Sequence, residues 1–221
     1  MEAARTNEMG RPGRAQHYEV LRELGDCYTS VGKYDQAQQC YEKAASLGPD
    51  EPGPYVGLGV AALQTGKLDD AEIAFRVAYR LDPKCARACA GLAMVAQQRQ
   101  DLAQAFDHYM KSLELDTDNI MALLGLFQVS CAMGSFAKVT YYLETYLKTH
   151  PGDVSVMFAL AALYLKDGRL RQAQAMLEEV LILEPANRDA TNLLEEVEHT
   201  RVNTQSRSGT AVRADGTAEA R

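Results

Sequence analysis

An all-α array of repeated helical hairpins is the fold class this chain predicts, and three observations predict it. The same residue types return every 34 residues. Each period holds two stretches with apolar residues at helical spacing, and a glycine stands between them in most periods. A proline closes most periods where the second stretch ends. Leu24, Leu58, Leu92, Leu126 and Leu160 form one series, and Ala37, Ala71, Ala105 and Ala173 a second with Val139 as its exception. Gly32, Gly66, Gly134 and Gly168 form a third, and Pro49, Pro83, Pro151 and Pro185 a fourth. Series that share one period mark copies of a single supersecondary unit.

Residues 52–85 show the unit clearly. Tyr55, Leu58, Ala62 and Leu63 recur at helical spacing and give a first amphipathic helix. Gly66 breaks it, and Asp69 and Asp70 stand where the second helix's N-terminus favours negative charge. Ala71, Phe75, Ala78 and Tyr79 then make a second apolar stripe that Pro83 ends. Gly59 and Ala71 are small enough for the two helices to approach closely, with Leu58 and Phe75 filling the space around them.

These residues resemble the tetratricopeptide repeat family. The family pattern is met by Tyr55, Leu58-Gly59, Ala71, Phe75, Ala78 and Pro83, and more fully by Leu24-Gly25, Tyr28, Gly32, Tyr34, Ala37, Tyr41, Ala44 and Pro49. The resemblance implies a right-handed α-solenoid of helix pairs whose concave groove holds peptides or partner helices, and it implies no catalysis.

Taken in order, residues 1–17 are expected to be a flexible segment rich in charge, glycine and proline. Five repeats follow, at 18–51, 52–85, 86–119, 120–153 and 154–187. In the third, Gln100 replaces the loop glycine and Thr117 the proline, but Asp116, Asp118 and Asn119 still supply capping groups, so the break is expected to survive. In the fourth, Phe127, Val139 and Tyr146 enlarge all three close-contact positions. A wider helix pair is expected there, against the alternative that total volume is conserved. Residues 188–201 place Ala190, Leu193, Leu194 and Val197 on one face, with Asn187 as N-cap. They predict a helix that caps the array, with Leu194 buried near Leu177 and Leu181. From Val202 to residue 221 a disordered tail is expected.

The formal charge is −7, and because each terminal segment carries three arginines against two acidic residues, the repeats carry −9. That body disfavours nucleic acid and anionic membrane as partners. No apolar run is long enough to span a bilayer, so no membrane insertion is expected. Five cysteines, an odd number, and no leader-like apolar stretch point to reduced thiols in the cytoplasm. Cys85 and Cys89 lie one helical turn apart but lack the further ligands of a zinc site, and Cys89 reads as a packing residue. Gly57, Gly59 and Ala62 mimic a nucleotide-binding string, yet they lie inside a helix with no strand before it. No nucleophile–base pair, metal set or cofactor motif stands out. The expectation is a non-enzyme without cofactor or metal.

In the family, the second, fifth, sixth, ninth and twelfth residues of each first helix line the groove. The resemblance therefore implies a partner-binding surface of Val56, Val60, Leu63, Ala90, Met94, Leu124, Gln128, Phe158, Ala162 and Leu165, with a charged end at Arg22 and Asp26. The row Gly57, Gly91, Gly125 and Ala159 reads as a place for a ligand to come close. The family's chaperone-tail clamp is not implied. Its basic and amide positions fall on Arg22, Asp26, Gly57, Arg87 and Gly91, where Asp26 repels a carboxylate and both glycines lack donors. A scaffold or chaperone holding an apolar or amphipathic protein segment is the function expected. Self-assembly through the groove or the repeat ends, as a homo-oligomer, is the alternative.

Overall fold

The structure, a computed structural model, describes residues 11–214, with side chains over 15–203. Among these there are eleven helices and no strands. They are α1 Arg11–Ser30, α2 Tyr34–Leu47, α3 Pro52–Gln64, α4 Leu68–Leu81, α5 Ala86–Gln98, α6 Leu102–Leu115, α7 Ile120–Met133, α8 Ala137–Thr149, α9 Val154–Lys166, α10 Leu170–Leu183 and α11 Arg188–Ala214. Each expected repeat contributes one pair. The chain is an α-solenoid.

The break within each repeat is one recurring device. Gly32, Gly66, Gly134 and Gly168 take φ between +68° and +76°, the left-handed region open to glycine at no steric cost. After Gly32, Gly66 and Gly168 the next residue then donates its N–H back to the helix. Lys33 bonds the Tyr28 carbonyl at 2.8 Å, Lys67 that of Ala62 at 2.9 Å and Arg169 that of Tyr164 at 2.7 Å. Such a bond satisfies a carbonyl that the helix end would otherwise orphan. Gln100 adopts φ +64° in the same role, and Asp101 completes the bond to Ala96 at 2.9 Å. The break survives without glycine, as expected, at the cost of a strained side-chain residue.

The junctions between repeats are equally regular. Residues Glu51, Cys85, Asn119, Asp153 and Asn187 each donate to the carbonyl three positions earlier, at 3.0–3.3 Å. The third junction forms with Thr117 in the proline's place. Asn119 caps α7 through Ala122 N–H at 3.2 Å, Asp153 caps α9 through Val156 at 3.1 Å, and Asn187 caps α11 through Ala190 at 3.0 Å.

The chain divides into two compact units, one through Met133 and the other from Gly134. The division falls inside the fourth repeat, between α7 and α8, where the sequence enlarges the close-contact positions. In the first unit each second helix drives an aromatic ring between two first helices. The Phe75 ring of α4 lies against Gly59 of α3 and Gly91 of α5, and a Cβ built on Gly59 would come within 2.6 Å of it. The Tyr41 ring of α2 lies in the same way against Gly25 and Gly57, and Tyr109 of α6 against Gly125. Ala37, Ala71 and Ala105 are fully buried beside these rings. Buried Ser112 is satisfied by donating to the Ala86 carbonyl at 2.8 Å and accepting from Asn119 at 3.1 Å.

In the second unit Leu143, Ala173, Leu177 and Val180 are buried without rings at the matching positions. Glu144 of α8 accepts from the Tyr164 hydroxyl of α9 at 2.8 Å and pairs with Arg169 at 3.5 Å. Arg169 in turn lies over the Tyr164 ring. Helix α11 packs on α10 through Ala190 and Val197, both fully buried, while Leu194 is only half-buried. The cap is present, but its anchors are the smaller residues.

Two boundaries differ from the sequence reading. Helix α1 starts at Arg11, inside the segment expected to be flexible, because Pro12 falls in the first turn where a missing N–H costs nothing. Residues 1–10 lie outside the described residues. Helix α11 continues past Arg201 to Ala214, through part of the expected tail, since no proline interrupts that stretch. The rest of that tail, 215–221, lies outside the described residues.

Candidate partner-binding groove

The first helices of the first unit present one face on which two hollows adjoin. The larger part of the expected surface borders them. Val56, Val60, Ala90, Gly91 and Met94 line a hollow of about 420 Å³ together with Phe75, Ile120 and Met121. Its rim is polar, with Gln64, Arg87, Asp116, Asp118 and Asn119. The second hollow, about 460 Å³, is lined by Met94, Leu124, Gln128, Gln97, Tyr109, Met121 and their neighbours. Met94 and Met121 belong to both. Met121 is 56% exposed, a large apolar side chain held open at the joint between the hollows.

A hydrogen-bond chain crosses the second hollow. The Tyr109 hydroxyl donates to Gln97 Oε1 at 2.7 Å, and Gln97 Nε2 donates to Gln128 Oε1 at 3.0 Å. The chain runs in one direction, so the Gln128 amide nitrogen stands at its exposed end. Burial pushes the Tyr109 phenol up to about 12, which keeps it a donor throughout the neutral range.

The expected surface is not uniformly open. Val56 and Ala90 line the first hollow yet are nearly buried, and Leu63 is buried in the core with Ala71, Phe75, Ala78 and Val95. Val60, Met94 and Leu124 are half-buried and Gln128 is exposed. In the second unit Phe158, Ala162 and Leu165 are half-buried and share one face of α9. The row of small residues is also corrected. Gly57, Gly91 and Gly125 are buried and receive Tyr41, Phe75 and Tyr109 from the chain itself. They are packing sites for the chain's own rings, and Gly91 and Gly125 also border the hollows.

The charged end is internally spent. Arg22 pairs with Glu19 at 2.9 Å and with Asp26 at 3.1 Å, and Asp26 also accepts from the Tyr41 hydroxyl at 2.7 Å. Burial pushes the Tyr41 phenol up to about 12. Thr29 Oγ1 completes the cluster, 3.2 Å from that hydroxyl. These contacts fasten α1 to α2 and offer no free cation to a carboxylate.

Sequence reasoning missed Met121, Ile120 and the rim carboxylates. Met121 is the second residue of its repeat, one of the groove positions, so the signal was present. Asp116 and Asp118 lie on the junction turn, and only the fold brings that turn to the hollow. Among the described residues no set of three or more His, Cys, Asp or Glu could hold a metal. The residues of the nucleotide-like string sit in α3, and both its glycines meet rings. No helix among the described residues is long and apolar enough to cross a membrane.

Three profiles described as tetratricopeptide repeat match the chain, over residues 22–85, 86–119 and 132–197. No curated protein matches it. Among solved structures, PilF of Pseudomonas aeruginosa is 20% identical, with 93% of this chain and 95% of that one covered and a TM-score of 0.72. The Cut9–Hcn1 assembly of the APC/C contains a chain 22% identical, with a TM-score of 0.68 over 81% of this chain. This chain spans only 36% of that longer one. YrrB, described as having an unusual peptide-binding site, is 17% identical, with a TM-score of 0.59 over 78% of this chain and 89% of its own. These likenesses concern the fold.

Proposed function

The chain belongs to the tetratricopeptide repeat family, and on that premise we propose that it is a non-enzymatic scaffold, chaperone-like in action, that holds an apolar or amphipathic segment of a partner protein in its groove. The observation that carries this reading is the pair of adjoining hollows joined by Met94 and an exposed Met121. Unbranched thioether side chains adapt to varied apolar shapes, and large exposed apolar groups rimmed by polar ones suit protein contact. Val60 and Leu124 extend the apolar floor on either side, and Phe158, Ala162 and Leu165 offer a similar strip on α9.

The rim refines the ligand. Arg87, Asp116 and Asp118 all line the first hollow, which fits a segment with apolar anchors and polar flanks. The Gln128 amide at the second hollow supplies a donor for a backbone carbonyl of that segment. YrrB, a relative in fold with a peptide-binding site, supports a peptide-like ligand. The acidic repeats make protein the partner in preference to nucleic acid. The five thiols suit the cytoplasm, where they stay reduced.

The test is capture by the immobilised chain, compared with Met94→Glu. Burying a carboxylate unpaired against an apolar ligand should abolish capture of the partners retained by the wild type. Circular dichroism should show the same helix content in both, since Met94 is only half-buried. Equal capture by both proteins would reject the groove.

A further inference from the structure

The methionines of this chain differ widely in solvent access. There are eight, of which Met1 and Met9 lie outside the described side chains. Met157 is 1% exposed, and Met94, Met110 and Met176 are half-buried. Among the described residues only Met121, at 56%, and Met133, at 45%, are exposed. These two stand at opposite ends of α7. Met121 is the second residue of that helix and lines both hollows of the groove, whereas Met133 is the last and lines neither. The most exposed methionine described thus sits at the joint of the candidate binding surface. Its neighbours in the second hollow carry no charge: they are Met94, Leu124, Gly125, Tyr109 and a set of glutamine amides.

We propose that Met121 is a site of reversible oxidation, and that its sulfoxide closes the groove to an apolar ligand. The proposal rests on the groove being the binding surface. The oxidant is hydrogen peroxide. A lone pair of the thioether sulfur attacks one peroxide oxygen, and an S–O bond forms as the O–O bond breaks. The proton of the transferred oxygen passes to the departing hydroxide, which leaves as water. Sulfur gives up the electron pair that peroxide gains. A sulfoxide reductase reverses the step, releasing the oxygen as water while two thiols become a disulfide. Access sets which methionine reacts first, since peroxide must reach the sulfur, and Met121 and Met133 are the open ones. Position sets the consequence. Oxidation turns a flexible apolar group into a polar one. A ligand face that seats well on the thioether is apolar, so it would strip water from the sulfoxide oxygen and return no hydrogen bond. Met133 undergoes the same chemistry away from both hollows, and is the control that the structure itself supplies. Helix packing is spared, because the Met121 side chain is exposed.

The full chain treated with dilute hydrogen peroxide tests this, with oxidation followed by peptide mass mapping. Met121 and Met133 should gain oxygen before Met94, Met110, Met157 and Met176. The probe is the set of proteins that the untreated chain retains and Met94→Glu does not. Capture of that set should fall about tenfold as Met121 is oxidised, with an unchanged circular dichroism spectrum. Methionine sulfoxide reductase should restore it. Dithiothreitol alone, which reduces cysteine disulfides and leaves sulfoxides, should not. Each variant is compared with its own untreated form. Peroxide should not lower capture by Met121→Leu, and should lower capture by Met133→Leu as much as by the wild type. Oxidation of Met121 no faster than that of Met94 would overturn the proposal. So would full capture by a chain oxidised at Met121, a peroxide loss that persists in Met121→Leu, or recovery with dithiothreitol alone. In each of these cases the groove itself stands if Met94→Glu still loses capture. Equal capture by untreated wild type and Met94→Glu would reject the groove, and this proposal with it.

Discussion

Side chains on successive helices are matched in size along this chain. Tyr41 meets Gly57, Phe75 meets Gly91 and Tyr109 meets Gly125. At the corresponding places in the second unit Leu143 is followed by Ala159, and Leu177 by Leu193. A ring goes with a glycine, and a leucine with a residue that has a Cβ. The pairing explains why two glycines can lie inside one helix, where each costs about 1 kcal/mol relative to alanine. Gly91→Ala should therefore destabilise the protein, by about 1–3 kcal/mol, since the Phe75 ring is held on its other side by Gly59 and has nowhere to retreat. Adding Phe75→Leu should recover part of that loss. A double-mutant cycle by urea unfolding would show a favourable coupling, and simple additivity of the two losses would contradict the match. Gln100→Gly should act in the other direction, stabilising by about 0.5–1 kcal/mol through relief of a left-handed residue. The small residues were legible in the sequence but their purpose was not. A periodic glycine is compatible with a ligand, a helix or a ring, and only packing decides which.

At the scale of helices, the turn chemistry was the most legible part. Breaks at Gly32, Gly66, Gln100, Gly134 and Gly168 are all present, because the left-handed residue that makes each one is a local event. The outer limits of α1 and α11 were less legible, since neither proline nor glycine marks where a polar helix frays. Helix α11 divides into a part with buried anchors and a part beyond them. Truncation after Arg201 should shift the unfolding midpoint very little, because the last fully buried anchor is Val197. Truncation after Asn187 should cost at least about 2 kcal/mol, or cause aggregation, by baring Leu177 and Val180. An equally stable and soluble short form would show that α11 is no cap. Three tyrosines link neighbouring helices, and their pH response follows from burial. Tyr41, Tyr109 and Tyr164 are each pushed up to about 12, chiefly by burial and, for Tyr41 and Tyr164, also by the Asp26 and Glu144 acceptors. Their folded-state values lie above the unfolded value near 10, so the unfolded chain loses these protons first. The stability they confer is complete below about pH 10 and is lost as pH rises toward 12. An alkaline ultraviolet titration should show these phenols ionising late, together with loss of helix.

For the molecule as a whole, the array was readable from periodicity and the family from the residues that resemble its motif, while the quality of the groove was not. Of the family's groove positions, Val60, Met94, Leu124 and Gln128 line the hollows, but Leu63 at the same kind of position belongs to the core. Whether a helix residue faces a hollow or a neighbouring ring depends on the size of side chains from other repeats, which a single repeat does not encode. As a binding surface, the face joined by Met94 and Met121 would contribute little to the core. The most direct measurement is the paired one on Met94→Glu: thermal melting by circular dichroism, and capture of the partners that the wild-type chain retains. A melting point within a few degrees of wild type and loss of those partners is the predicted result. Collapse of the helical fold, or undiminished capture by a folded variant, would contradict it.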